Sequence, residues 1–320
     1  MLFNVILGEK IKNKRVEVMS SYIEVMKKKY LYEVGYRNKD VFRNSFNELA
    51  EKTFGINFEK WYQEGYWGDG YIPYSLLDGD KVVANVSVSI MEYLIDDKKK
   101  TYIQLGTVMT DKEYRNRGLS RILMEKVISE WENKGDCIYL FANDNVLDFY
   151  PKFGFKKCDE YQYSKNIIKE RTKTTEKARK MNIEQKFDKD IFLQIINNKC
   201  NLFKINMENN SSLILFYCMD YMKENIYYIE EYNTVAICEY DEEKLYIQDI
   251  FSTKEIDLDK IINILSLDET EKVILGFTPK NTSSYEESLV NEEDTTLFIR
   301  AIEKTPFETE KIMFPVLSHT

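Results

Sequence analysis

The sequence predicts an α/β (α+β) protein with a mixed central sheet flanked by helices, followed by a second α/β domain. Three observations lead there. Strand-like and helix-like segments alternate over residues 30–164. Residues 165–183, KNIIKERTKTTEKARKMNI, are polar and basic without a strong apolar period, as a solvated linker would be. The length of 320 residues suits about two domains. The expected division is an extension at 1–18 ahead of Met19, a first domain at 19–168, a linker at 169–183 and a second domain at 184–320.

In chain order, residues 30–36 (YLYEVGY) are expected as a strand. Asn38 is expected to cap a helix over 39–53, whose Val41, Phe42, Phe46, Leu49 and Ala50 fall at helical spacing. A short helix at 56–64 follows. Asp78-Gly79-Asp80 is a turn between strands at 72–77 and 81–91, the latter reading KVVANVSVSIM. A strand at 101–110 leads to a helix at 118–133 with apolar Leu119, Ile122, Leu123, Val127, Ile128 and Trp131. A buried-type strand at 137–142, a short helix at 145–153 and a closing strand at 155–163 complete this half. In the second half, helices are expected at 187–198 and 257–265, and strands at 225–231, 233–239, 244–250, 271–277 and 295–301. The ending KIMFPVLSHT reads as a last strand.

Composition excludes several classes. Hydrophobic residues make up 43% and charged residues 31%, unlike a disordered chain. No stretch approaches the ~18 consecutive apolar residues of a membrane helix. The start, MLFNVILGEKIKNKR, runs from apolar to basic, the reverse of a secretory signal. Five cysteines without CxxC spacing suit reduced thiols in a cytoplasmic protein. The single histidine, His319, argues against His-based triads and His-ligated metal, and no metal is expected.

Charge and glycine divide the halves. Residues 184–320 carry 27 acidic and 13 basic residues, a net of −14, whereas the rest has a net of +5. Neither nucleic acid nor an anionic membrane is expected as partner of the acidic half. Eleven of the twelve glycines lie within residues 1–154, so a loop in close approach to phosphate belongs there.

That loop lies in VMTDKEYRNRGLSRILMEKV, residues 108–127: a strand ends, Arg115, Asn116, Arg117 and Gly118 follow, and a helix begins. Helix N-termini carry unpaired N–H groups and positive partial charge, and with two arginines beside them they suit a pyrophosphate. Downstream, residues 143–155 read NDNVLDFYPKFGF. The two blocks, R-x-x-G-x-S and N-x-x-V-x-x-F-Y-x-K-x-G-F, stand in the order strand, loop, helix, strand, second block, strand. This order resembles the GNAT (Gcn5-related) N-acetyltransferase superfamily over about residues 30–164, and TFGINFEKWYQEGYW and VANVSVSIM are similar to a bacterial subgroup with an additional C-terminal domain. Ser120 and Val146 replace smaller family residues, and Asn116 replaces a frequent glycine.

The resemblance implies a GNAT-type central sheet, acetyl-CoA as cosubstrate and transfer of an acyl group to a primary amine by direct attack in a ternary complex. It implies that Thr107 and Val108 offer main-chain groups to the pantetheine arm, that N–H groups of Arg115, Asn116, Arg117, Gly118, Leu119 and Ser120 hold the pyrophosphate, and that Asn143 contacts the arm. Tyr150 stands where the family often has the acid that protonates the leaving thiolate. Glu92, at a strand end, is the candidate base, since some relatives use a Glu on a neighbouring strand. The stretch 61–74, WYQEGYWGDGYIPY, is expected to wall the acceptor groove, with Trp61, Glu64, Tyr66 and Trp67 meeting a cationic amine. The second domain lacks the phosphate loop and is expected not to bind CoA; a degenerate GNAT-like copy is one reading of its strand and helix order. Its work would be to close the groove or to dimerise, and a homo-oligomer is left open. The acceptor is a small amine or a peptide amine. The alternative is a non-catalytic acyl-CoA-binding module whose C-terminal domain is a partner surface.

Overall fold

The computed structural model describes residues 21–167 and 176–320; the 1–18 extension and most of the 169–177 stretch lie outside the described residues. In the first half the elements are β1 (Ser21–Val25), β2 (Lys28–Val34), α1 (Asp40–Phe54), α2 (Glu59–Gln63), β3 (Tyr71–Asp78), β4 (Lys81–Ile95), β5 (Lys98–Thr110), α3 (Leu119–Trp131), β6 (Cys137–Ala142), β7 (Lys156–Lys157) and β8 (Tyr161–Asn166). The second half adds β9 (Ala178–Lys180), α4 (Lys186–Asn197), β10 (Ile205–Glu208), α5 (Ser211–Phe216), β11 (Ile226–Ile229) and β12 (Thr234–Asp241). It ends with β13 (Lys244–Ser252), α6 (Leu258–Leu265), β14 (Lys272–Leu275), β15 (Glu286–Leu289) and β16 (Thr296–Arg300).

Among the described residues there are two mixed sheets, ordered β1-β2-β3-β4-β5-β6-β16-β7, with β10 also on β4, and β15-β8-β14-β13-β12-β11-β9. Their centres are built alike. β5 crosses through α3 to parallel β6, and β13 crosses through α6 to parallel β14. Each sheet is then closed by a strand from the other half. β16 lies between β6 and β7, while β8 lies between β14 and β15. This reciprocal exchange covers the edges that β6 and β14 would otherwise present as unpaired backbone. The second sheet therefore has the strand logic of a degenerate copy of the first.

The boundaries expected at 168 and 184 do not separate the sheets. Lys165 and Asn166 belong to β8, residues 178–180 form β9, and Met181 and Ile183 are buried in the core. The basic residues of this stretch point outward while its few apolar ones are buried, which a linker reading from average polarity misses. Other differences are local. The capping position of α1 is Lys39, not Asn38, and Val41 is exposed. Residues 144–153 form two 3₁₀ turns, because Pro151 lacks an amide donor and Gly154 turns left-handed at φ 82°. The ending is no strand: Pro315 breaks it, and residues 316–318 form a 3₁₀ turn that enters the core.

Period-2 alternation assigns the two faces of the first sheet. On one face, Val86, Val88, Ile103, Leu105, Ile138 and Leu140 pack against Leu119, Leu123, Met124 and Val127 of α3. The opposite face is shared. Phe46, Leu49, Trp61 and Trp67 of the α1–α2 region cover Tyr71, Leu77 and Met109. Beside them, Phe192, Ile195, Leu215, Phe251 and Phe314 of the second half cover Met91, Tyr93, Tyr102 and Tyr139.

Candidate active site

β5 and β6 pair only over Tyr102–Gln104 and Cys137–Tyr139. β5 then runs to Thr110 and β6 to Ala142 without pairing to each other, so a cleft opens between them. On its other side β5 is bulged: Asn85 pairs Met109 and Ser87 pairs Gly106, leaving Val86 opposite both Thr107 and Val108. Thr107 has φ 42°, an outlier for a β-branched residue. A network holds it there. Tyr71 OH lies 2.7 Å from Thr107 Oγ1, which donates to Ser87 Oγ at 2.6 Å, while Asn85 Nδ2 donates to the Thr107 carbonyl at 2.9 Å. The network continues through Ser75, which donates to Asn85 Oδ1 at 2.8 Å, to Tyr36 at 2.5 Å. Local strain of order 1–3 kcal/mol is thus held by side-chain hydrogen bonds at the cleft.

At the open end of the cleft stands the loop before α3. Asn116 and Gly118 both have left-handed backbone, at φ 62° and 79°. Gly118 is the N-cap of α3 and supplies no side chain to its first N–H groups. They are left for an outside acceptor. The loop's side chains are tied back: Arg115 Nε donates to the Thr110 carbonyl, Arg117 Nη2 donates to the Glu113 carbonyl, and Ser120 Oγ pairs with Thr110 Oγ1 at 2.5 Å. The larger Ser120 is therefore accommodated against β5. Leu119 is buried beneath the helix, and Asn143 is exposed just past the end of β6, across the cleft mouth.

Tyr150 is buried on the α3 face, its ring against Phe149, Phe155 and Phe298. Burial alone pushes its phenol up to about 12, so it stays protonated at neutral pH. Its hydroxyl has no hydrogen-bond partner among the described residues.

The opposite face holds a cavity of about 260 Å³. It is bounded by Trp61 and the Gly68–Tyr71 loop, by Ser89–Met91 of β4, by Asn209–Leu213 and by Thr320. Of the four residues expected to wall an acceptor groove, the structure brings Trp61 to this cavity. Trp61 and Trp67 are only 6% and 3% exposed, stacked on each other, with Trp61 Nε1 donating to the Ser212 carbonyl. Their rings are mainly core. The Tyr66 carbonyl accepts from Ser212 Oγ, and Glu64 pairs with Lys189 of α4 at 2.9 Å. Glu64 is thereby committed to joining the halves. Its neighbour in the loop, Asp69, is exposed and paired with Arg37.

Glu92 lies elsewhere. Ser89 and Met91 face the cavity side, so strand alternation turns Glu92 to the α3 side, where it is exposed and accepts from Asn209 Nδ2 at 2.6 Å. A carboxylate at a strand end can serve either face in a sequence reading; the register decides.

The residues missed by sequence are those of the tail. Assigned from its neighbours, the Gln104 amide accepts from Thr320 N at 3.0 Å and donates to the Ser318 carbonyl at 2.8 Å. Ser89 Oγ donates to Thr320 Oγ1 at 3.1 Å. The His319 ring stacks on Phe141 of β6 with centroids 3.6 Å apart. Far from idle near the end of the chain, the single histidine is fully enclosed beside the cleft, and burial lowers it to about 3. The available signal was the polar alternation of Asn85, Ser87 and Ser89 in an otherwise apolar strand.

A diverging strand pair beside an uncapped helix N-terminus is the arrangement that the sequence resemblance implies, and residues 37–155 match the family model described as Acetyltransferase (GNAT) family. Residues 37–155 are a GNAT acetyltransferase domain. Solved structures similar to the chain extend the likeness over both halves. One is a conserved protein of unknown function, a probable N-acyltransferase, from Enterococcus faecalis V583. It has 12% identity and a TM-score of 0.54, over 85% of this chain and 72% of that one. A GCN5-related N-acetyltransferase from Kribbella flavida has 14% identity and a TM-score of 0.51, over 85% and 71%. Eis1 from Mycobacterium abscessus has 10% identity and a TM-score of 0.50, over 84% and 73%. At these identities the likeness is one of fold. Among the described residues no group of three or more His, Cys, Asp or Glu is placed to hold a metal, and no helix is long and apolar enough to cross a membrane.

Proposed function

We propose that the protein is an acetyl-CoA-dependent N-acetyltransferase acting on a small primary amine or a peptide amine. The observation that supports this most directly is the β5–β6 divergence ending beside the free N–H groups of α3. The cleft, the bulge and the loop fit the three parts of the cosubstrate: arm, acyl end and pyrophosphate. When bound, acetyl-CoA supplies an acyl thioester that the amine attacks directly in a ternary complex.

The chain's residues then divide the work. N–H groups from Arg115 to Ser120 receive the pyrophosphate, with the α3 dipole behind them. Thr107, Val108 and Asn143 flank the arm. Tyr150, protonated at neutral pH, gives its proton to the departing thiolate. Trp61, Tyr71, Ser89 and Asn210 surround the acceptor in the 260 Å³ cavity, which admits a small amine or the end of a peptide. Its one carboxylate, Asp69, is exposed and paired with Arg37, so the cavity offers hydroxyls and amides more than charge. Glu92 faces away, and the amine's proton leaves through cavity water along Ser89. The acidic second half suits neither nucleic acid nor anionic membrane. Five unpaired cysteines suit a cytoplasmic setting.

The test is a screen of primary amines for CoA-thiol release from acetyl-CoA by the full chain. Acceptor-dependent release is expected. Tight acetyl-CoA binding with no release for any amine class would favour the non-catalytic module.

A further inference from the structure

We propose that His319 Nε2 hydrogen-bonds the acyl-bearing pantetheine arm when acetyl-CoA occupies the β5–β6 cleft; this rests on the acyl-CoA reading above. Residues 319 and 320 lie across the face of the sheet where the two strands part. His319 stacks on Phe141, two residues beyond Tyr139, the last residue of β6 paired with β5. Thr320 lies over Gly106, two residues beyond Gln104, the last residue of β5 in that pairing. The pair is held firmly: Tyr217 OH donates to the His319 carbonyl at 2.6 Å, and Gln104 binds Thr320 N.

Within this rigid setting Nε2 is buried and has no hydrogen-bond partner. Buried polar atoms almost always have one, so the exception requires a reason. Packing does not supply it, because a phenyl ring would stack on Phe141 equally well and leave no polar atom sealed. What can reach the nitrogen is what enters the gap between the strands. A pantetheine arm carries two amides and, when acylated, a thioester carbonyl. A neutral imidazole offers one donor and one acceptor and can serve any of these. Enclosure keeps the ring neutral, which suits a hydrogen-bonding role and not proton uptake from the amine.

As the chain's only histidine, its ring gives a single pair of imidazole nitrogen resonances. With ¹⁵N-labelled full-length protein, the Nε2 resonance should move by several ppm on titration with acetyl-CoA, tracking a calorimetric isotherm measured in parallel. His319→Phe should keep or raise the melting temperature, since the sealed nitrogen is gone, yet weaken acetyl-CoA binding by about 5- to 20-fold. His319→Gln, which retains an amide, should recover most of that affinity. An unmoved resonance at saturation, or wild-type affinity in His319→Phe, would overturn the proposal. Absence of any calorimetric binding to the wild-type chain would instead remove the acyl-CoA reading and this assignment with it.

Discussion

A Cβ placed on Gly106 would stand 2.5 Å from the carbonyl oxygen of Thr320 and 2.8 Å from its carbonyl carbon. Both are backbone atoms, so no side-chain rotation relieves the clash. The glycine lets the tail settle over the closed end of the cleft, where Gln104, Ser89 and Tyr217 hold it.

Gly106→Ala should therefore displace residues 318–320. Overpacking of this kind costs about 1–3 kcal/mol. The melting temperature should fall and acetyl transfer should drop at least about tenfold, since the cavity loses one wall. Unchanged stability and turnover would mean that the tail yields freely.

Tyr150→Phe should lower kcat by about 10- to 1000-fold with acetyl-CoA affinity within a few-fold, because the packed ring survives and only the proton donor is lost. The phenol is pushed up to about 12, so no loss of donor should be seen in wild type as pH rises from 6 to about 10. Steady-state kinetics with parallel binding measurements check this. An unchanged kcat with chemistry rate-limiting would reduce Tyr150 to packing.

Gly118 has open space where a Cβ would stand, so its demand is its φ of 79° and what an occupant of the loop requires. Gly118→Asn tolerates that backbone and should cost the fold about 1 kcal/mol or less. Gly118→Asp has the same shape with a negative charge at the anion site, and should weaken acetyl-CoA binding by at least about 100-fold relative to Gly118→Asn through like-charge repulsion. Calorimetry on both variants separates strain from charge; equal affinities would move the pyrophosphate elsewhere.

Glu160 is buried, and its carboxyl accepts from Phe314 N at 2.7 Å, at the root of the tail. Burial raises it from 4.5 to about 8. The folded state thus retains a proton that the unfolded chain releases above about 4.5. This contribution is full below 4.5 and is lost as pH rises toward 8. Asp249, raised to about 7, acts in the same sense. His319, lowered to about 3 from 6.5, acts oppositely below 6.5, as the unfolded chain binds the proton there. The clean window is therefore pH 6.5–8. Wild type should lose stability across it, and Glu160→Gln should flatten the slope by removing one titrating group. Denaturant melts at pH 6.5 and 8 check this; identical slopes would show that Glu160 ionises freely in the folded chain.

What was legible in the sequence was local. The loop from Arg115 to Ser120 is set by a strand end, a left-handed glycine and a helix start, all within a dozen residues, and β5, α3 and β6 follow from period alone. What was not legible depends on pairing across the chain. Nothing in TLFIR says that β16 will lie beside β6, nor in YQYSKN that β8 will lie beside β14, because edge strands carry no signature of their partner. Glu92 was misdirected for the same reason: its face depends on register with β3 and β5. Trp61 and Trp67 read as a binding wall, yet the segment 209–216 arrives from the second half and buries them. Gly276, the one glycine outside the first half, serves the tail: its carbonyl accepts from Val316 N, and a Cβ there would meet Gln248 O at 2.7 Å.

The central claim is that acetyl-CoA lies in the β5–β6 cleft with its pyrophosphate on the loop before α3. The most direct test is a crystal structure of the full chain with CoA. The account predicts the pyrophosphate within hydrogen-bond distance of main-chain N–H groups between Arg115 and Ser120, and the pantetheine arm between Thr107–Val108 and Phe141–Asn143. CoA lodged instead between β13 and β14, or in the 260 Å³ cavity with the α3 loop empty, would contradict it.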